Sequence, residues 1–89
     1  MIKVTKINEN TFEVEVKAAS NSAHQVSVSD QYYKKLTNQP VSKEVLIKKS
    51  FEFLLERESN TMILSQFDLP VIQSYFSEYE ENIKQRFQS

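Results

Sequence analysis

The sequence predicts an α+β domain: a three-stranded antiparallel sheet followed by three or four helices. Three observations carry that expectation. The first thirty residues alternate apolar and polar side chains with a period of two, whereas residues 43–58 and 69–87 place them at helical spacing. The two regimes do not interleave, so the strands precede the helices.

Ile2 and Val4 alternate with Lys3 and Thr5, giving a strand over 2–7, and Asn8-Glu9-Asn10 marks a turn. A second strand over 11–18 puts Phe12, Val14 and Val16 on one face and Glu13 and Glu15 on the other. After the polar stretch Ser20-Asn21-Ser22, a third strand over 23–29 alternates His24, Val26 and Val28 with Gln25, Ser27 and Ser29. The sheet therefore has one apolar face that needs a cover.

Asp30 has the chemistry of an N-cap for a short helix over 30–37, and Asn38-Gln39-Pro40 should stop it, because proline lacks a donor and restricts its predecessor. Ser42 caps the next helix, 43–58. Projected at 100° per residue, Val45, Leu46, Ile47, Phe51, Phe53, Leu54 and Leu55 cover more than half of its circumference. Such a helix must pack on two sides, against sheet and helix or across a dimer interface. Ser59-Asn60 ends it, and 61–66 reads as a short helical turn with Met62, Ile63 and Leu64 pointing inward. Asp68 then caps a last helix over 69–87, with Pro70 tolerated in the first turn. Ile72, Phe76, Tyr79, Ile83 and Phe87 form one apolar stripe along it. The helices containing Val45 to Leu55 and Ile72 to Phe87 are expected to build the core layer.

Composition narrows the function classes. Eighty-nine residues make one domain, and such a chain buries only roughly 60 to 65% of its unfolded surface, so self-association is an expectation. There is no cysteine, which excludes disulfides and thiolate chemistry. Glycine is also absent, which removes every glycine-dependent phosphate loop and leaves Asn8, Asn10, Asn21, Asn38 and Asn60 as suppliers of left-handed turns. The net charge of −1 and pI near 5.8 provide no field to attract nucleic acid or an acidic membrane. No apolar run approaches membrane-spanning length and the start lacks a signal-peptide core, so the expected location is the cytoplasm.

No catalytic constellation stands out, and neither a cofactor nor a metal site is expected. His24, the only histidine, shares its strand face with Val26 and Val28, away from Glu13 and Glu15. Those two glutamates lack the enclosed pocket that a carboxylate pair needs for acid–base work. Glu78, Glu80 and Glu81 read as a solvated helix face rather than a cation site. Tyr75, Phe76 and Tyr79 have the spacing of core or interface residues rather than of a base-stacking platform. Arg57 falls inside the apolar arc of its helix and requires an acceptor, with Glu56 and Glu58 nearby and Asp68 or Glu78 at a distance. A structural ion pair that fixes how the last helix docks is the expectation.

Two resemblances extend this reading. Residues 24–58, a strand followed by two helices, resemble a ribbon-helix-helix DNA-binding domain, in which paired strands of a dimer enter the major groove. That resemblance implies Gln25, Ser27 and Ser29 as outward base readers, and Ser42 and Lys43 as the helix start that holds a phosphate. More of the chain is similar to a group of short bacterial proteins of unassigned activity that share four elements. Here these are His24 to Val28 (His-x-Val-x-Val), Phe51 to Glu58 (Phe-x-Phe-Leu-Leu-Glu-Arg-Glu), Phe67 to Leu69 (Phe-Asp-Leu) and Tyr75 to Tyr79 (Tyr-Phe-x-Glu-Tyr). This second resemblance implies a bacterial origin and supplies no reaction. The leading expectation is a non-enzymatic interaction domain, forming a homodimer or binding another protein. The alternative is a ribbon-helix-helix-like DNA-binding or antitoxin-like regulator.

Overall fold

A computed structural model describes residues 1–37 and 41–87. The expected stop at Asn38-Gln39-Pro40 lies outside the described residues. The fold is α+β, but the sheet has four strands and is mixed. In spatial order these are β1 (Ile2–Lys6), β2 (Thr11–Lys17), β3 (Asn21–Ser27) and β4 (Gln66–Asp68). The first three are antiparallel, as expected, and β4 joins β3 in parallel. The helices are α1 (Asp30–Leu36), α2 (Lys43–Leu55), α3 (Val71–Tyr75) and α4 (Tyr79–Arg86), with a single 3₁₀ turn at Asn60–Met62.

The period-two pattern sets the register of the sheet. Val4 stands opposite Val14, Phe12 opposite Val26, and Val26 opposite Phe67, so every apolar pair lands on the same face. The β1–β2 turn has no residue in the left-handed region, and neither has any other described segment. Asparagine works there through its side chain instead. Asn8 Oδ1 accepts the Asn10 amide at 3.0 Å, an Asx turn that mimics a backbone turn.

α2 lies across the apolar face and is covered from both sides. Leu46, Ile47, Phe51, Phe53 and Leu54 are buried, and Phe51 packs against His24 and Phe67 while Phe53 meets Phe76 and Tyr79. One flank of the wide apolar arc thus faces the sheet and the other faces α3 and α4. Ser50, inside the arc, donates its hydroxyl to the Leu46 carbonyl at 2.8 Å. Because that proton is committed, the Tyr79 hydroxyl is the donor in its 2.7 Å bond to Ser50.

Several element ends differ from expectation. Ser29, not Asp30, caps α1, accepting the Tyr32 amide at 3.1 Å. α2 stops at Leu55 rather than at residue 58, because the Leu54 carbonyl accepts from the amides of both Arg57 and Glu58. The short helical turn expected over 61–66 is confined to the 3₁₀ turn at Asn60–Met62, and β4 begins at Gln66. Ile63 is buried there, but Met62 and Leu64 point outward. Asp68 belongs to β4 and caps nothing; Pro70 occupies the N-cap position of α3.

The expected helix over 69–87 is broken at residues 76–78. Phe76 is extended, and the Gln73 amide bridges the break, donating to the Ser77 carbonyl at 2.6 Å and accepting from the Glu80 amide at 2.9 Å. All five residues of the expected stripe nevertheless turn toward the core: Ile72, Tyr79, Ile83 and Phe87 are buried and Phe76 is half-buried. Phe51, fully buried between the sheet and α2, is the sharpest test of this core. Phe51→Ala is expected to lower stability by about 3 to 5 kcal/mol, read from the urea midpoint at unchanged slope.

Candidate functional site

The residues that the ribbon-helix-helix resemblance singled out fall into two groups. Gln25 and Ser27 lie on the outer face of β3, level with Gln66 and Asp68 of β4. Ser29 and Ser42 cap α1 and α2, with Ser42 Oγ accepting the Val45 amide at 3.2 Å. Lys43 is engaged within the chain. Its ammonium donates to the Glu9 carbonyl at 3.1 Å, to Asn10 Oδ1 at 2.9 Å and to Asp30, and only 13% of the side chain is exposed. Lys43 therefore ties the start of α2 to the β1–β2 turn and to α1. β3 itself has a neighbour on each side, β2 and β4. Pairing it with a second copy of itself would require β4 to leave the sheet.

Arg57 takes two of the four expected carboxylates and one carbonyl at the end of α2. Nε meets Glu78 at 3.1 Å, Nη1 meets Glu56 at 3.2 Å and the Phe53 carbonyl at 3.1 Å, and the guanidinium sits 3.7 Å from the centroid of the Phe53 ring. Neither Glu58 nor Asp68 takes part. Arg86 reaches the same Glu56 at 2.8 Å, so the end of α2 is clamped to both ends of α4. Glu78 is held below the usual carboxylate range by its own backbone amide and then by Arg57.

The acidic residues before and within α4 diverge rather than converge. Glu78 turns to Arg57, Glu80 to Lys35 at 3.0 Å and to the Tyr32 hydroxyl at 2.8 Å, and Glu81 is exposed. Among the described residues no three His, Cys, Asp or Glu side chains come together as metal ligands would. The three aromatics of this region also separate. Tyr79 is buried, and burial pushes its phenol up. Phe76 is half-buried and Tyr75 is 67% exposed.

His24 is buried in a directed hydrogen-bond chain. Nδ1 lies 2.8 Å from the Leu64 carbonyl, which can only accept, so the proton is on Nδ1 and Nε2 accepts from Ser22 Oγ at 2.8 Å. Ser22 Oγ in turn accepts from Asn60 Nδ2, which also donates to the Ser20 carbonyl, both at 2.9 Å. The chain fastens β3 to the segment that enters β4. Its Ser22 and His24 lie on the core side of the sheet, while Glu13 and Glu15 stand opposite Gln25 and Ala23 on the outer face.

An apolar concavity lies next to this network. A cavity of about 380 Å³ is lined by Leu54 and Glu58 at the end of α2, Met62, Ile63 and Leu64, Phe67 of β4, and Val71, Ile72, Tyr75 and Phe76 around α3. Met62 and Leu64, 70% and 46% exposed, form its rim together with Tyr75. Three large apolar side chains are thus left exposed around one concavity. No family model matches the chain, and no curated protein or solved structure matches it either.

Sequence alone hides the groove, because Met62, Ile63 and Leu64 read as one inward-facing turn. Burial alternates here, with Ile63, Phe67 and Leu69 buried and Met62, Leu64, Gln66 and Asp68 exposed, but Met62 and Leu64 are themselves apolar, so polarity along the chain shows no period of two.

Two outcomes follow from these contacts. His24→Leu leaves the Leu64 carbonyl without its donor and should lower stability by about 1 to 3 kcal/mol, with faster hydrogen exchange at the Gln25 and Leu69 amides that bond β3 to β4. For Glu80, burial pushes the carboxyl up, but hydrogen bonds from Lys35 and Tyr32 outweigh it and hold the group below its ordinary value of 4.5. A carboxylate lowered in the folded state stabilises above its unfolded pKa, and that stability is lost as pH falls through the folded value. Denaturation of Glu80→Gln should accordingly depend less on pH below about 4.5 than that of the parent protein.

Proposed function

We propose that this chain is a small non-enzymatic interaction domain and that its contact surface is the groove between β4 and α3. The observation that carries the reading is the exposure of Met62, Leu64 and Tyr75 around one apolar concavity. Self-association was expected from the apolar arc of α2, and that arc is covered inside one chain, apart from Val45 at its edge. The groove therefore replaces α2 as the place where association occurs. Support for the DNA-binding alternative is thinner. β3 has no free edge from which to form a ribbon, Lys43 is bound to the β1–β2 turn and to Asp30, and the net charge of −1 favours no polyanion.

The reading is tested by selecting random peptides displayed on phage against the immobilised protein. Selected peptides should bind the parent chain and Val45→Asp alike. Leu64→Asp and Tyr75→Ala should abolish binding while shifting stability by no more than about 0.5 kcal/mol, as expected for exposed positions. Failure to select any binder, or binding indifferent to both groove substitutions, counts against it.

A further inference from the structure

The outer edge of β4 gives the groove a direction. On its inner side, Ser65 accepts from the Gln25 amide and Leu69 donates to the Ser27 carbonyl, each at 2.8 Å. Backbone groups of a strand alternate between its two edges, so the amides and carbonyls of Gln66 and Asp68 face away from β3. Among the described residues, no loop or helix backbone bonds to them. Two donors and two acceptors thus stand unpaired on either side of Phe67, the β4 residue that lines the cleft, and both Gln66 and Asp68 are exposed.

Unpaired strand edges bind extended backbone, and a cleft alongside accepts every second side chain of the added strand. The lining here is apolar apart from Glu58 and the Tyr75 hydroxyl. Neither the Glu58 nor the Asp68 carboxylate has an ion-pair partner among the described residues. Backbone pairing, apolar lining and unpaired negative charge together specify one kind of occupant. A second copy of the chain fits less well, because antiparallel pairing of two β4 strands sets Asp68 of each opposite Gln66 of the other, and Gln66-Phe67-Asp68 brings no lysine or arginine to the unpaired carboxylates.

We propose that the groove binds a short extended peptide, which adds as a fifth strand to the outer edge of β4, sets alternate apolar side chains into the cleft and places a lysine or arginine against Glu58. This rests on the interaction-domain reading and names its partner by chemistry. The three-residue length of β4 limits the paired stretch to a few residues.

The test uses the same selection on the full chain, with a random nonapeptide library as the probe. Enriched peptides should alternate apolar residues and carry Lys or Arg. Selection on Glu58→Lys should replace that residue with Asp or Glu. For one enriched peptide made synthetically, N-methylation of the amides in one alternate register should weaken binding at least about tenfold, while methylation in the other should change it little. In amide exchange, Gln66 and Asp68 should gain protection in the complex. Binders with helical spacing, equal tolerance of methylation in both registers, or protection elsewhere would overturn the added strand while leaving an interaction domain. No binders at all would remove both. A dimer by light scattering whose Gln66 and Asp68 amides are protected without peptide would show that the occupant is another copy, against the proposal. Methylation acts on the peptide alone, so its result is independent of whether any variant folds.

Discussion

One helix sets the terms for the rest of the molecule. α2 carries apolar side chains over more than half of its circumference, so a sheet on one side leaves Phe53 and Leu54 uncovered. The hydrophobic contribution of those side chains, each about 1.5 to 3 kcal/mol when buried, is realised only if a second layer closes over them. α3 and α4 supply that layer, and the break at residues 76–78 lets both press aromatic rings on Phe53. In an 89-residue chain this concentrates nearly the whole core around a single element.

Polar groups fix the arrangement that the apolar ones favour. Arg57 lies against the Phe53 ring while its nitrogens reach Glu56, Glu78 and a terminal carbonyl of α2, so a charge inside the apolar arc remains solvated by protein groups. Lys43 plays a comparable part at the other end of the helix, and the His24, Ser22 and Asn60 chain does so at the far side of the sheet. No buried side-chain donor or acceptor is left unpaired among the described residues. With no glycine to relax the backbone and no disulfide to brace it, the molecule relies on side-chain hydrogen bonds at its turns and element ends.

The hairpins and the long helix were legible because period two and period 3.6 each run long enough there to be read. β4 was not, since a three-residue strand with one apolar side chain shows no period and is defined by pairing with β3, about forty residues earlier. The break between α3 and α4 was hidden for a different reason: the apolar stripe continues across it, and only the Gln73 side chain reveals where the backbone departs. Arg57 stood out because its position contradicts its charge, although the choice of Glu78 over Asp68 required the tertiary structure. The groove was invisible to a reading that sorts residues by polarity, because its rim is made of Met62, Leu64 and Tyr75, residues that such a reading places inside.

The parallel seating of β4 also bears on how the sheet comes to be closed. β1, β2 and β3 pair through short turns, whereas the β3–β4 ladder closes a loop containing both α1 and α2. Long loops are entropically slow to close, so local hairpins precede non-local ladders. Until the β3–β4 ladder forms, β3 is the boundary of the hairpin sheet, and the amide of Gln25 lacks its partner on that side. The docking of β4 thus moves the sheet's exposed margin outward by one strand.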